Sequence, residues 1–401
     1  MGEYDWYLLA LIPVISGAIG YITNVLAVKM MFHPLNFWGI PPYLGWQGII
    51  PANAVDLAQR GLALITSQIL NISDIMEDVD PDDFLKPMEA DLKAKTRTML
   101  SAQAEKNFGP MWNNLDDKAR ETIHTMAWTE FDSLSRDAVR KMVGKMPDIL
   151  NLVNVVTTAV REKPAILSRM FLEVGVEEFK FIERSGWWFG LGFGLIQLAV
   201  WMLIPQWWVL PAFGFLVGWA TNLVALRLVF DPKEPKKIGG ITFHGIFHQR
   251  QKEVAAGFAK VSTEDMFNDA NLFRELHTDH AKTQIMAIME AEADAVVDKY
   301  KSHPMAAMLM TPALIADIKG EILQVTETEL FKEGGVISGI TAQSTKIRTM
   351  LHERMLEMEP EAFEGVLRPA FQQDEWKLIL AGAVLGGAAG FMQLMYIFGG
   401  I

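Results

Sequence analysis

Apolar residues along the chain gather into four runs, Trp6 to Met31, Gly186 to Ile204, Trp207 to Phe230 and Leu378 to Phe398. Each is near or above the roughly 20 residues that cross a bilayer as a helix. Between them lie two long stretches, 33–185 and 231–377, that are charged, Met-rich and amphipathic. In "ETIHTMAWTEFDSLSRDAVRKMV" and "DHAKTQIMAIMEAEADAVVDKY" the apolar residues recur three and four apart with charges opposite, which is the helical period. β-branched alternation and hairpin signals are scarce. The pattern predicts an all-α integral membrane protein with four transmembrane helices and two helical soluble lobes.

The same pattern is written twice. "GYITNVLAVKMMFHP" starts at Gly20 and "GWATNLVALRLVFDP" at Gly218, 198 positions later. Gly190-x-x-x-Gly194-x-x-Gln197 returns as Gly386-x-x-x-Gly390-x-x-Gln393 at an offset of 196, and Gly48, Ala58 and Thr66 return as Gly245, Ala255 and Thr263 at 197. The chain reads as a tandem internal repeat. Unit 1–204 holds span 6–31, lobe 33–185 and span 186–204; unit 205–401 holds span 207–230, lobe 231–377 and span 378–398. Each unit begins and ends on one side of the membrane, so the copies are parallel. This disfavours the inverted-repeat plan of many transporters.

Within the spans the polar residues form stripes. Ser16, Gly20, Asn24 and Ala27 share one helix face, and Gly214, Gly218, Asn222 and Ala225 share the equivalent one. Thr23 and Thr221 precede the asparagines, and Gln197 and Gln393 stand in the second span of each unit. Small residues at this spacing let helix backbones approach, and an Asn amide beside them can hydrogen-bond across the contact. These residues are candidates for helix packing, or for a polar pathway between the spans. Lys29 and Arg227 can snorkel to the headgroups as surface anchors, and Pro34 and Pro232 end the helices. With no Asp or Glu inside any span, a carboxylate proton relay has no residues to use. After the first span, "FWGIPPYLGWQGIIP" is too rich in Pro and Gly for a long helix. Its aromatics suit either a loop at the membrane surface or a buried connector.

Charge sets the orientation. Lys29, Lys180, Arg184, Arg227, Lys233, Lys236, Lys237, Arg368 and Lys377 flank the spans on the lobe side, and no Lys or Arg stands on the other. The positive-inside rule then places both lobes in the cytoplasm and both termini outside. Tyr4, Trp6, Trp201, Trp207, Trp208 and Tyr396 are read as the outer aromatic border, and Trp187, Trp188 and Trp376 as the inner one. The acidic opening "MGEYD", with no small-residue cleavage site after the first run, argues against a cleaved signal peptide.

A net charge of −12 excludes a general nucleic-acid binder. The absence of cysteine excludes disulfides, thiolate metal sites and a Cys nucleophile. The 23 methionines would suit an adaptable apolar groove. His244-x-x-x-His248 and His277-x-x-His280 have metal-compatible spacing, but there is no HExxH, GxSxG or Walker lysine motif, and "GLGFGL" lies inside a span. No metal, cofactor or catalytic residue is assigned.

The strings "GYITNVLAVKMMFHP", "YLGWQGIIP", "EFKFIERSGWWFGLGFGLIQ" and "GIFHQRQKEVAA" resemble, in that order, a bacterial membrane family of unknown function that includes YheB and YjiN. The resemblance implies a multi-pass protein of the inner membrane and carries over no catalytic residues. Two functions fit these readings. The first is a non-enzymatic scaffold whose lobes assemble with copies of themselves or with envelope proteins. The second is a transporter or carrier of a lipid or other amphiphile. Expected partners are membrane lipids, further copies of the chain and other envelope proteins.

Overall fold

The computed structural model describes residues 6–40, 44–68, 72–77, 80–233, 235–238, 241–243, 245–301, 311–332, 335, 337–338, 344–368 and 375–397. Tyr4, the tail 399–401, His244 and residues 41–43 of the Pro-rich segment therefore lie outside the described residues.

In chain order the first half contains α1 (Trp6–Phe32), β1 (Trp38–Ile40), β2 (Leu44–Trp46), α2 (Ile49–Ala52), α3 (Ala54–Gln68), α4 (Ile72–Glu77) and α5 (Pro81–Leu85). After a short 3₁₀ turn come α6 (Glu89–Asn113), α7 (Asp117–Gly144), α8 (Met146–Ile149), α9 (Leu152–Glu162), α10 (Ala165–Val174) and α11 (Val176–Leu203). The second half contains α12 (Val209–Phe230), β3 (Lys236–Ile238), β4 (Ile241–Phe243), α13 (Ile246–Gln249), α14 (Gln251–Val261), α15 (Asp269–Leu276) and α16 (Asp279–Lys301). It ends with α17 (Pro312–Phe331), α18 (Ser344–Glu357), α19 (Pro360–Leu367) and α20 (Glu375–Ile397).

Four helices are long and apolar enough to cross a membrane: α1, α11, α12 and α20. One boundary differs from the apolar pattern. The second helix starts at Val176, ten residues before the apolar run at Gly186, because "VEEFKFIERS" is good helix-forming sequence that continues into the span without a break. Trp201 departs from the border assignment as well. It is 1% exposed, packed in a cluster with Ile12, Val209, Leu210 and Leu394, because it points into the bundle rather than at the headgroups. Trp188, Trp207, Trp208, Trp376 and Tyr396 are exposed.

The chain divides into two compact units, and both cut across the two halves of the sequence. The first comprises 1–69, 156–266 and 351–401. In it α1 packs against α11 and α12 against α20; α11 also touches α12, and α1 touches both α20 and α12. Next to the spans α10 packs on α14. There Arg169 bonds Glu264 and Asp265 at 2.8 Å each, and Lys260 bonds Glu173 at 2.6 Å.

The second unit comprises 70–155 and 267–350. Two of its helices begin with side-chain caps of the ordinary kind: the Asp116 side chain accepts from the Ala119 N–H, and the Thr311 side chain from the Leu314 N–H ahead of Pro312. Residues α7 and α16 pack together. Ala281, Ile285, Ile288, Met289, Ala293 and Val297 form the buried stripe of α16. Three buried glutamates of the second half find partners from the first: Glu275 accepts from Asn154 at 2.6 Å, Glu292 pairs with Lys141, and Glu329 with Lys95.

Glu329 also pairs with Lys332. Burial pushes its carboxyl up, but hydrogen bonds from Lys332 and Lys95 outweigh burial and hold it below the ordinary 4.5. Lys95 and Lys332, in that order, likewise hold Asp91 below 3.8. A depressed carboxyl stabilises fully above its unfolded-state value and ceases to do so as pH falls through the folded one. The thermal midpoint of the wild-type chain is therefore expected to fall below about pH 4.5. Glu329→Gln should start lower at neutral pH and lose less on acidification. Melts between pH 3 and 7 check this.

Candidate functional site in the membrane-spanning bundle

The two tight helix pairs are built alike. Along α11 the glycines Gly186, Gly190 and Gly194 recur every four residues, and along α20 Gly382, Gly386 and Gly390 do the same. This spacing lays them on one face of each helix. Backbone then meets backbone. A Cβ at Gly20 would run into the Gly186 carbonyl, one at Gly190 into the Ser16 carbonyl, and one at Gly194 to 2.6 Å from Cα of Pro13. In the other pair a Cβ at Gly218 would run into the Gly382 carbonyl, one at Gly214 into Gly386, and one at Gly390 into Leu210.

The asparagines use the room these glycines leave. Asn24 is fully buried, and its Nδ2 donates to the Ile182 carbonyl at 2.6 Å. Asn222 is buried likewise, and its Nδ2 donates to the Leu378 carbonyl at 2.9 Å. Gly186 and Gly382 are required beneath them: a Cβ at Gly186 would come within 2.8 Å of the Asn24 amide nitrogen, and one at Gly382 would overlap that of Asn222. The oxygen of each amide, Oδ1, is buried without a hydrogen-bond partner among the described residues. Thr23 bonds back to the carbonyls of Ile19 and Gly20, at 2.8 and 3.1 Å, and Thr221 to Gly218 at 3.4 Å, so both hydroxyls are used within their own helices. Lys29 and Arg227 stand exposed in the last turns of α1 and α12.

One difference between the pairs has a steric cause. Ser16 Oγ donates to Gln197 Oε1 at 2.7 Å. Gly214 occupies the matching place in α12, where the Gly386 carbonyl leaves no space for a Cβ and hence none for a hydroxyl. Gln393 is consequently buried with neither Oε1 nor Nε2 hydrogen-bonded.

Sequence spacing did not single out Gly186 and Gly382 as the floor of the asparagine contacts, although both extend a visible four-residue glycine period. A further pair left no signal in the sequence: Arg250 donates Nη1 to both carboxylate oxygens of buried Glu178, at 2.9 and 2.7 Å. Of the histidines at metal-compatible spacing, the three described ones face backbone or carboxylate groups. His277 faces the carbonyls of Phe273 and Phe331 at 2.7 and 3.0 Å, His280 that of Asp148 at 3.2 Å, and buried His248 lies 3.5 Å from Glu364.

The stretch from the middle of α1 through the first hairpin to the end of α8 is similar to a known family. Residues 14–150 match the DUF445 model, Protein of unknown function. The DUF445 segment thus includes the Asn24 stripe and the "YLGWQGIIP" string, and it ends before α11 and its glycines. The match agrees with the resemblance to a family of unknown function and does not extend to YheB or YjiN. No curated protein and no solved structure matches the chain.

Proposed function

We propose that the chain is a non-enzymatic scaffold of the bacterial inner membrane, made of two parallel copies of a span–lobe–span unit. Both lobes face the cytoplasm and both termini the outside. It assembles with copies of itself or with other envelope proteins, and the lipids around the spans are its immediate surroundings. The observation that carries the reading is the backbone-on-backbone closure of both helix pairs by glycines. A bundle joined so tightly suits an anchor better than a path for an amphiphile. In the span-containing unit an apolar cavity lined by Met31, Phe171, Phe179, Leu226, Val229 and Phe247 measures only about 30 Å³. That is room for about two waters, against the several hundred Å³ of an ordinary ligand pocket.

The duplication is supported by contacts that recur at matched positions. Asn24 reaches Ile182, 158 residues on, and Asn222 reaches Leu378, 156 residues on. A short hairpin follows each of α1 and α12, and behind it the N–H of Gly48 donates to the Pro34 carbonyl as that of Gly245 does to Pro232, both at 2.9 Å. The nine-to-zero basic asymmetry supports the orientation.

Native mass spectrometry of the full chain, released from membrane-derived nanodiscs, tests the assignment. A scaffold gives multiples of the 45.0 kDa chain, or a fixed complex with another envelope protein, with no lipid at a one-to-one ratio. A monomer that keeps one lipid per chain through delipidation would replace the scaffold with a carrier.

A further inference from the structure

The hairpin that follows α1 exposes residues a water-facing loop has no reason to carry. Trp38 is 78% exposed, Ile40 70%, and Phe37 beside them is exposed too. The hairpin is held rigidly to the end of the helix. Gly48 N–H donates to the Pro34 carbonyl at 2.9 Å, Gln47 Nε2 donates to the Leu35 carbonyl at 2.7 Å, and a Cβ at Gly48 would lie 2.7 Å from the Phe32 carbonyl carbon. The Phe37 ring lies across Gly45, closing the hairpin where any larger residue would clash. Gly39 adopts a φ of 134°, a conformation that only glycine takes without strain, between the two exposed side chains.

The fold itself does not require the tryptophan, although it keeps an isoleucine at the place of Ile40. The second hairpin follows α12 as the first follows α1, with strand pairing Lys236↔Phe243 and Ile238↔Ile241 where the first has Trp38↔Trp46 and Ile40↔Leu44. At the offset of 198, Lys236 stands where Trp38 does and Lys237 where Gly39 does. A hairpin of this kind therefore forms with lysines at its start. Distance supplies the remaining argument. Each strand has three residues and reaches only about 10 Å from its base, and the base is bonded to residues directly after the last turn of α1. The described strands of this hairpin therefore stay within about 10 Å of the end of α1, a reach compatible with the headgroup–acyl boundary that Trp favours.

We propose that the β1–β2 hairpin is a second membrane anchor, with Phe37, Trp38 and Ile40 inserted from the α1 C-terminal side into the headgroup–acyl boundary of that leaflet. The proposal rests on α1 spanning the bilayer and not on the scaffold reading. Its effect is to fix the end of α1 at a set depth.

The cysteine-free chain allows a direct test. Full-length Ile40→Cys, Val384→Cys and Met126→Cys are each labelled with an environment-sensitive fluorophore and reconstituted in vesicles of phosphatidylethanolamine and phosphatidylglycerol. Lipids carrying spin labels at shallow or deep acyl positions are the quenchers. Val384, exposed on α20, reports the span, and Met126, exposed on α7, reports the soluble part. The Ile40 label should be quenched about twofold more by shallow than by deep spin labels, as expected for insertion of 5–10 Å, and shielded from aqueous iodide. Val384 should favour deep quenchers and Met126 iodide. Iodide-accessible Ile40 beside a lipid-quenched Val384 would overturn the anchor and leave the spans intact. An unquenched Val384 would overturn both. Pyrene excimers between Ile40-labelled chains, without lipid quenching, would overturn the anchor in favour of contact between two copies.

Discussion

Gly218→Leu is expected to destabilise the bundle more than any other single change within a span, with Gly20→Leu close behind it. At both positions even the first side-chain carbon would overlap a carbonyl of the facing helix, Gly382 or Gly186, and backbone cannot yield as a flexible side chain can. Forcing the pair apart would also strand the neighbouring Asn222 or Asn24 amide, since its acceptor sits on the same facing helix. Overpacking typically costs about 1–3 kcal/mol, and a leucine driven against backbone should reach or exceed the upper end. Asn24→Ala and Asn222→Ala should cost only about 1 kcal/mol or less, because measured membrane hydrogen bonds are weak. Gly192→Leu is the control: nothing lies within 4 Å of a Cβ there. Thermal midpoints in detergent should rank Gly192→Leu with wild type, the asparagine variants slightly below, and the stripe leucines far below. Equal stability of Gly218→Leu and Gly192→Leu would show that the stripe does not hold the pair together.

Arg250→Ala is expected to produce the second large loss. Glu178 is buried on the stalk of α11 before the apolar run, and Arg250, which ends α13, holds both of its carboxylate oxygens. Removing the guanidinium leaves an uncompensated buried charge, a change that costs about 3–5 kcal/mol in other proteins. Adding Glu178→Gln removes the charge as well and should recover most of the loss. The matching position of the first half is Asn53, an uncharged residue whose amide bonds back to Ile49 at 3.0 Å. Asn53→Ala should therefore be mild, which makes it a useful comparison. Denaturation of the two single variants and the double variant separates a charge effect from simple loss of packing.

Much of this architecture was legible in the sequence because it is periodic. Four apolar runs of membrane-crossing length gave the four long helices, and the 3.6-residue period of 121–143 and 279–300 gave α7 and α16. The stripe through Gly20 and Asn24 was legible for the same reason. What faces that stripe was not, since spacing within one helix does not name its neighbour. The glutamates of the second unit show the limit most clearly. Glu275, Glu292 and Glu329 look like ordinary charges on amphipathic helices, yet they are buried against Asn154, Lys141 and Lys95 from the other half. No local period encodes a partner more than a hundred residues away, and such partners lie within compact units that cross the two halves of the sequence. Trp201 was misplaced because an aromatic at a span end has the same sequence signal whether it faces lipid or the bundle. The hairpins were missed because three-residue strands are too short to show alternation.

The most direct measurement of the account is the side of the membrane on which each connection lies. Single cysteines at Gln206 in the turn between α11 and α12, at Met126 on α7 and at Gln284 on α16 would be treated in intact cells with a membrane-impermeant maleimide, and again after lysis. Four parallel-unit spans predict that Gln206→Cys labels in intact cells, while Met126→Cys and Gln284→Cys label only after lysis. Labelling of either lobe position in intact cells, or protection of Gln206→Cys, would contradict it.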